Sequence, residues 1–270
     1  MIKQYYMDSY AQIFHADCRD ILPDLEPVDL VLTDPPYGID IARRPQVGGD
    51  GTVRRGSFGM HPPHIFPVSD WDKYPPSAET LQLTISKGRH AVIWGGNFFG
   101  LPRASGWLVW DKANDYGTNF ADCELAWTNF RMAVRIFRWR WNGLLQEDMK
   151  RKEIRLHRTM KPLALIKWCI GFAPEAQSII DPFMGSGTTL RAAKDMGIKA
   201  IGIEIDERNC EIAAERLRQE SLIGLIEALE AEKRNGGRGN GGNGGNGGQR
   251  GMGAGAMDLE QTLFEMKGAI

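Results

Sequence analysis

Two short segments of this chain place an acid, a proline and an aromatic residue directly after an apolar run. The first is Val28-Asp29-Leu30-Val31-Leu32 followed by Thr33-Asp34-Pro35-Pro36-Tyr37-Gly38. The second is Ser178-Ile179-Ile180-Asp181-Pro182-Phe183-Met184-Gly185-Ser186-Gly187-Thr188-Thr189. In the first, Asp34 brings a carboxylate and Pro35 a carbonyl beside prolines that carry no N–H, so the segment presents acceptors and few donors. Tyr37 adds a flat aromatic face. In the second, Gly185 and Gly187 allow the backbone to approach a ligand closely, and Thr188 and Thr189 open a helix. Gly185-x-Gly187-x-x-Leu190 lacks the third glycine of a dinucleotide fingerprint and is a weak motif by itself. Two such strand ends in one chain predict an enzyme cleft.

Periodicity supplies the elements that must position them. Strands are expected over Gln12 to Ala16, Asp29 to Thr33, His90 to Trp94, Gly106 to Trp110, Cys123 to Thr128, Val134 to Trp139, Gln177 to Ile180 and Lys199 to Ile203. Helices are expected over Ser77 to Gly88, Pro162 to Phe172, Gly187 to Met196 and Asp206 to about Lys233. Pro162 suits a first helical turn, and Asp206 with Glu207 suits the positive end of a helix dipole. Alternating helices and nearly all-apolar strands argue a doubly wound α/β fold with a mostly parallel sheet covered on both faces. Ligands of such a sheet lie beyond the carboxyl ends of its strands, where Asp17, Asp34, Asp181 and Glu204 all fall.

The 270 residues carry a formal net charge of -1, with 42% hydrophobic and 25% charged residues, as in ordinary soluble domains. No apolar stretch approaches the ~18 residues of a membrane span and the N-terminus has no signal-peptide core, so a cytoplasmic location without membrane association is expected. Cys18, Cys123, Cys169 and Cys210 are widely spaced and read as reduced core thiols. His61-Pro62-Pro63-His64 reads as a loop, and no metal site is expected. A catalytic domain over residues 1–234 is followed by a Gly-rich linker over 235–256, too polar to bury a core, and a tail over 257–270. Leu263 and Phe264 in that tail are either a partner-binding peptide or part of a fraying end. Residues 39–73, rich in Gly, Pro and Arg, form a long functional or mobile loop.

The pair of motifs resembles the amino-group DNA methyltransferases. With Asp-Pro-Pro-Tyr first and the glycine turn second, the order is similar to the circularly permuted group usually called β. The resemblance takes in Phe14-His15-Ala16-Asp17-Cys18, His157-Arg158-Thr159-Met160-Lys161-Pro162 and Ile201-Gly202-Ile203-Glu204, and spans roughly residues 10 to 218. It implies a permuted, seven-stranded Rossmann-like methyltransferase sheet, S-adenosylmethionine as cofactor and double-stranded DNA as substrate. It also implies catalytic roles for Asp34, Pro35, Pro36 and Tyr37. An exocyclic amine is a poor nucleophile because its lone pair is delocalised into the ring. Asp34 and the Pro35 carbonyl would hold its protons, and Tyr37 would stack against the extruded base, a contact worth ~1–3 kcal/mol.

The cofactor site implied by the resemblance comprises Asp17, His157, Lys161, Pro162, Asp181, Phe183, Gly185, Ser186, Gly187, Thr188, Thr189 and Glu204. Glu204 would accept hydrogen bonds from ribose hydroxyls. Asp17 would contact the cofactor adenine or serve as a strand-end turn residue. His157 and Lys161 would lie near the cofactor's methionine end or form a solvated helix entry.

Residues 131 to 161 are strongly basic, and Trp139 and Trp141 lie among the cations. Arg138, Arg140, Lys150, Arg151, Lys152 and Arg155, with Arg43 and Arg44 of the long loop, are candidate DNA contacts. A basic sheet edge is the structural alternative. The interval that holds target recognition in the permuted group is short here, about residues 140–158. Aspartate at position 34, where cytosine-N4 members usually carry serine, favours adenine N6 as the methyl acceptor. The alternatives are a cytosine-N4 enzyme, an RNA or protein amide methyltransferase, and an inactive DNA-binding scaffold. A separate restriction endonuclease as partner, and the oligomeric state, stay open.

Overall fold

The computed structural model describes residues 4–41, 70–114, 121–142, 145–150, 152–156 and 159–219. The chain divides into a unit Met1–Glu227 and a unit Ala228–Ile270. The Gly-rich segment, the tail, His61 and His64 lie outside the described residues.

The strands are β1 Gln4–Met7, β2 Ala11–His15, β3 Val28–Thr33, β4 Gly88–Trp94, β5 Trp107–Asp111, β6 Cys123–Thr128, β7 Arg135–Arg138, β8 Trp141–Asn142, β9 Leu145–Gln146, β10 Ser178–Asp181 and β11 Lys199–Glu204. The helices are α1 Cys18–Ile21, α2 Ala78–Ser86, α3 Leu163–Ile170, α4 Thr188–Asp195 and α5 Glu207–Arg218. Nine strands form one sheet in the order β1-β2-β11-β10-β3-β4-β6-β5-β7, and β8 and β9 form a separate antiparallel pair. The sheet is parallel from β2 through β4. β6 is antiparallel to both β4 and β5.

Among the described residues, the expected seven-stranded sheet is present and carries two further edge strands. The seven from β2 to β5 are flanked by β7, parallel to β5, and by β1, antiparallel to β2. β1 is only four residues long and no more than half-buried, which is why it shows no apolar run. Asp8 makes its turn into β2 by accepting the N–H groups of Tyr10 and Ala11. Helix α5 ends at Arg218, where Gln219 leaves it in an extended conformation, so the expected unbroken helix to about Lys233 is corrected there, and residues 220–233 lie outside the described residues.

Both faces of the sheet are buried, as its apolar strands require. Leu30 and Leu32 of β3 join the core under α3, α4 and α5, whereas Val31 points into the opposite core with Ile21, Ile93 and Ile180. The period of two along β3 therefore serves two layers of helices. Asp29, the polar residue in this run, accepts bonds from Gln177 N, Ser178 N and Ser178 Oγ. These bonds lower its pKa and tie the start of β3 to β10. Cys18, Cys169 and Cys210 are buried, whereas Cys123 is exposed at the first position of β6. The expectation of four core thiols fails there because a strand's first residue extends past the packed layer. Among the described residues, no helix is long and apolar enough to cross a membrane.

Candidate active site

β3 and β10 are neighbouring parallel strands, so Asp34 and Asp181 emerge side by side at their carboxyl ends. A cavity of about 680 Å³ opens there, within the ~300–1,000 Å³ of small-molecule sites. Asp34, Pro36 and Lys161 line one part, and Asp17, Asp181, Phe183, Gly185, Ser186, Thr188, Thr189 and Glu204 line the remainder. Pro35, Tyr37, Pro162 and Gly187 do not line the cavity. His157 lies outside the described residues.

Asp34 is held on both oxygens. Tyr37 Oη donates to Oδ1 at 2.6 Å, and Lys161 Nζ donates to Oδ2 at 2.6 Å. The Lys161 ammonium also lies 3.0 Å from Glu124 Oε2 and 3.2 Å from Tyr37 Oη, and Glu124 Oε1 pairs with Lys112 Nζ at 2.5 Å. Burial raises the pKa of Asp34, with Lys161 opposing. Burial works against the charge on Lys161, but Asp34 and Glu124 outweigh it and raise its pKa. Glu124 also resists burial, yet Lys161 and Lys112 bring it down to about 2. Burial and the neighbouring carboxylates push Tyr37 far up. The result is a cluster of two carboxylates and two ammonium groups, with the phenol as a neutral donor.

Tyr37, expected to stack on a base, is half-buried. Its ring stacks on Phe98 at 4.9 Å between centroids, with 16° between planes. It also packs so closely on Gly95, at φ +71°, that a Cβ there would meet Cε1 at 2.1 Å. The loop after Tyr37 is fixed by Asp72, buried at 1% exposure, which accepts the N–H groups of Tyr37, Gly38 and Ile41. Trp71 and Tyr74 are the aromatic residues beside Pro36 in the cavity wall, and Tyr74 is 71% exposed.

Among the described residues, no cation is paired with Asp181. Thr33 Oγ1 donates to its Oδ1 at 2.6 Å, Phe183 N donates to the same atom, and Thr189 bonds the carboxylate as well. Burial pushes its pKa up to about 6. In the glycine turn, Gly187 adopts φ +75° where a Cβ would meet Ala213 Cβ at 2.7 Å, so it is the packing glycine. Over Gly185 a Cβ would meet no atom within 4 Å, which leaves space for a ligand. Glu204 Oε2 accepts Gly185 N and Oε1 accepts Asp206 N, and burial raises its pKa. Asp17 caps α1 and pairs with Arg19 through Nε and Nη2. Pro162 is the N-cap of α3 rather than its first helical residue.

Glu124, Asp72, Gly95 and Arg216 were not anticipated. Arg216 Nη1 reaches Ser186 O at 2.6 Å and Thr188 Oγ1 at 3.1 Å, clamping the glycine turn from α5. All four act across long sequence separations, and no local motif announces them.

The basic candidates divide. Lys150 and Lys152 are exposed. Arg138 is exposed too, but its Nε is already bonded to Asp111 Oδ2 at 2.8 Å. Arg140 is half-buried, and Arg155 is half-buried with its pKa lowered by burial, so neither presents a fully solvated cation. Trp141 is buried, with Nε1 donating to Met160 O, and Trp139 stacks on Phe137, so these rings are packing elements and not a DNA-facing pair. Glu153 ties Gln146 to the start of α3. Its backbone pairs with the Gln146 amide, and its carboxylate accepts Leu163 N at the start of α3. Arg43, Arg44 and Arg151 lie outside the described residues. Among the described residues, no group of three or more His, Cys, Asp or Glu is arranged to hold a metal ion.

Comparison with known proteins gives the following. The DNA methylase family model N6_N4_Mtase matches residues 103–215, a span that includes the glycine turn and Lys161 but begins after Asp34. The Type II methyltransferase M2.LlaDCHI of Lactococcus lactis subsp. cremoris is 26% identical over 271 aligned positions, covering 83% of this chain and 96% of that protein. The Type II methyltransferase M2.DpnII of Streptococcus pneumoniae is 26% identical, covering 82% and 94%. The solved M1.HpyAVI–SAM complex covers 77% of this chain and 99% of its own, at 22% identity and a TM-score of 0.48.

Proposed function

We propose that the chain, which matches the N6_N4_Mtase family model over residues 103–215 and two Type II methyltransferases over most of its length, is an amino-methyltransferase of the N6/N4 family that transfers a methyl group from S-adenosylmethionine to the exocyclic N6 of an adenine extruded from double-stranded DNA. The observation that carries the reading is the continuous cavity joining Asp34 and Lys161 to Gly185 and Glu204. One strand end offers acceptors for an amine, and the other offers a cradle for a nucleoside-bearing cofactor.

The residues present fit that cofactor. The open space over Gly185 admits a ligand against bare backbone, and Glu204 stands at the next strand end to receive ribose hydroxyls. Phe183 and Asp17 complete the wall of this part. Bound there, S-adenosylmethionine supplies an electrophilic methyl sulfonium.

The protein's part is to hold both amine N–H groups and to take up the one proton that leaves as the methyl group arrives. A carboxylate has about four acceptor sites, and Tyr37 and Lys161 take one on each Asp34 oxygen, which leaves capacity for an amine N–H. Burial makes Asp34 a better proton acceptor than a free aspartate. Tyr37 acts from behind, orienting Asp34 through its hydroxyl. The aromatic surface for the base then comes from Trp71 and Tyr74 in the cavity wall. Lys150 and Lys152 serve as phosphate contacts, which position the duplex without reading its sequence.

Aspartate in place of serine at position 34 favours adenine, and the family itself spans both amino groups. Incubation with labelled S-adenosylmethionine and mixed-sequence DNA, followed by nucleoside analysis, decides the matter. N6-methyladenine is the expected product. N4-methylcytosine would move the acceptor to cytosine, and absence of label in DNA would refute the reading.

A further inference from the structure

We propose that Glu124 is a positioning residue of the reaction, dividing the charge of Lys161 between two carboxylates so that Asp34 stays both ionised and basic. The inference rests on the methyl-transfer reading and assigns the controlling group of the same site.

The geometry carries it. Lys161 is 5% exposed and reaches two carboxylates, Asp34 at 2.6 Å and Glu124 at 3.0 Å. Lys112 takes the other oxygen of Glu124. Lys161 also lies over the rings of Tyr37 and Trp94, at 5.6 Å and 5.4 Å from their centroids. An ammonium so enclosed has little freedom to leave, and removing either carboxylate throws its full charge onto the other. Bound to Lys161 alone, Asp34 would be a tightly paired anion and a poor proton acceptor. Bound to no cation, it would take up a proton before the amine arrives. Glu124 holds the site between these extremes, and it does so from β6, an antiparallel strand beyond β4.

Among the described residues, the charged and titratable groups acting on Asp34 are Lys161, Glu124 and Tyr37, and Asp34 itself acts on Asp181. Their signs give opposite expectations for two variants. In Glu124→Gln, Asp34 loses a neighbouring negative charge and its pKa falls. In Lys161→Gln it loses a positive charge and its pKa rises.

The test is the pH dependence of single-turnover methyl transfer by full-length wild type, Glu124→Gln and Lys161→Gln at saturating S-adenosylmethionine and DNA. Cofactor affinity is measured on the same samples. Glu124→Gln is expected to lower the rate near neutrality about tenfold and to move the acid limb to lower pH. Lys161→Gln should move that limb to higher pH, and cofactor affinity should change less than about twofold in Glu124→Gln. An acid limb for Glu124→Gln that coincides with the wild type's, or that moves upward, overturns the proposal, as does a rate loss matched by an equal loss of cofactor affinity. Should the glutamine variant fail to fold, Glu124→Asp, which keeps the charge, must hold the limb in place while lowering the rate. A shifted limb there also overturns it. A wild type that methylates no DNA refutes the functional reading instead.

Discussion

Asp34 and Asp181 end adjacent strands with nearly the same local sequence, yet the fold makes different groups of them. Asp34 receives an ammonium and a phenol, and its side chain remains 23% exposed to the cavity. Asp181 receives hydroxyls and a backbone N–H, and is 3% exposed. Lys161, 127 residues along the chain from Asp34, keeps that carboxylate paired with a cation. Among the described residues, no cation pairs with Asp181, which burial carries up to about 6. An acid, a proline and an aromatic at a strand end therefore specify a place, and distant charges specify the chemistry done there. We take Asp34 as the proton acceptor and Asp181 as a brace that binds Thr33 and Thr189 beneath the glycine turn.

The comparison breaks most readily at Asp34. Asp34→Ala should lower transfer by about 10²-fold or more, the usual scale for a group that handles a proton in the transition state. Single-turnover rates for Asp34→Ala and Asp181→Asn give the contrast, and a loss of equal size in a folded Asp181→Asn would erase the distinction.

At the cofactor end, Glu204→Ala should raise the KM for S-adenosylmethionine about tenfold with a smaller fall in kcat, since a charged hydrogen bond is worth ~1.5–3 kcal/mol. Steady-state kinetics separate the two constants. A pure kcat defect would place Glu204 with the chemistry instead.

A smaller effect is expected on the surface. Replacing Lys150 and Lys152 together by Ala should weaken DNA a few fold, for all sequences alike, and reduce the salt slope by about 2. Binding titrations at several salt concentrations on two unrelated duplexes check this. Loss confined to one sequence would make them base readers.

Asp181→Asn should change activity least and pH dependence most clearly. The folded pKa of Asp181, about 6, lies above the ordinary carboxylate range. The folded chain therefore holds a proton that the unfolded chain releases between about pH 4 and 6, and this group's contribution makes stability fall as pH rises through that window. Thermal melts of wild type and Asp181→Asn across the window should differ in slope, with the variant lacking this component. Identical slopes would show that Asp181 is ionised in the fold.

Much of the architecture was legible because β3, β4, β10 and β11 are apolar runs bounded by clear turn residues. The strand ends at Asp17, Asp34, Asp181 and Glu204 could be placed together for the same reason. The antiparallel edge β1 was not, since Tyr5 and Tyr6 alternate with nothing that marks a buried face. Glu124 was invisible because it is an ordinary strand residue until Lys112 and Lys161 fold onto it. The contacts of the Tyr37 ring with Phe98 and Gly95 were not legible, because those residues lie about 60 positions away in sequence. The basic run suggested one continuous surface, whereas Arg138 bonds to Asp111, Lys161 joins Asp34, and Arg140 and Arg155 are half-buried.

Calorimetric titration of S-adenosylmethionine into wild type, Asp34→Ala and Glu204→Ala tests most directly whether the two strand ends divide the work. Asp34→Ala should bind the cofactor within about twofold of wild type while Glu204→Ala binds about tenfold more weakly. Equal loss of affinity in both folded variants, or loss in Asp34→Ala alone, would contradict a cavity in which one acid serves the amine and the other the cofactor.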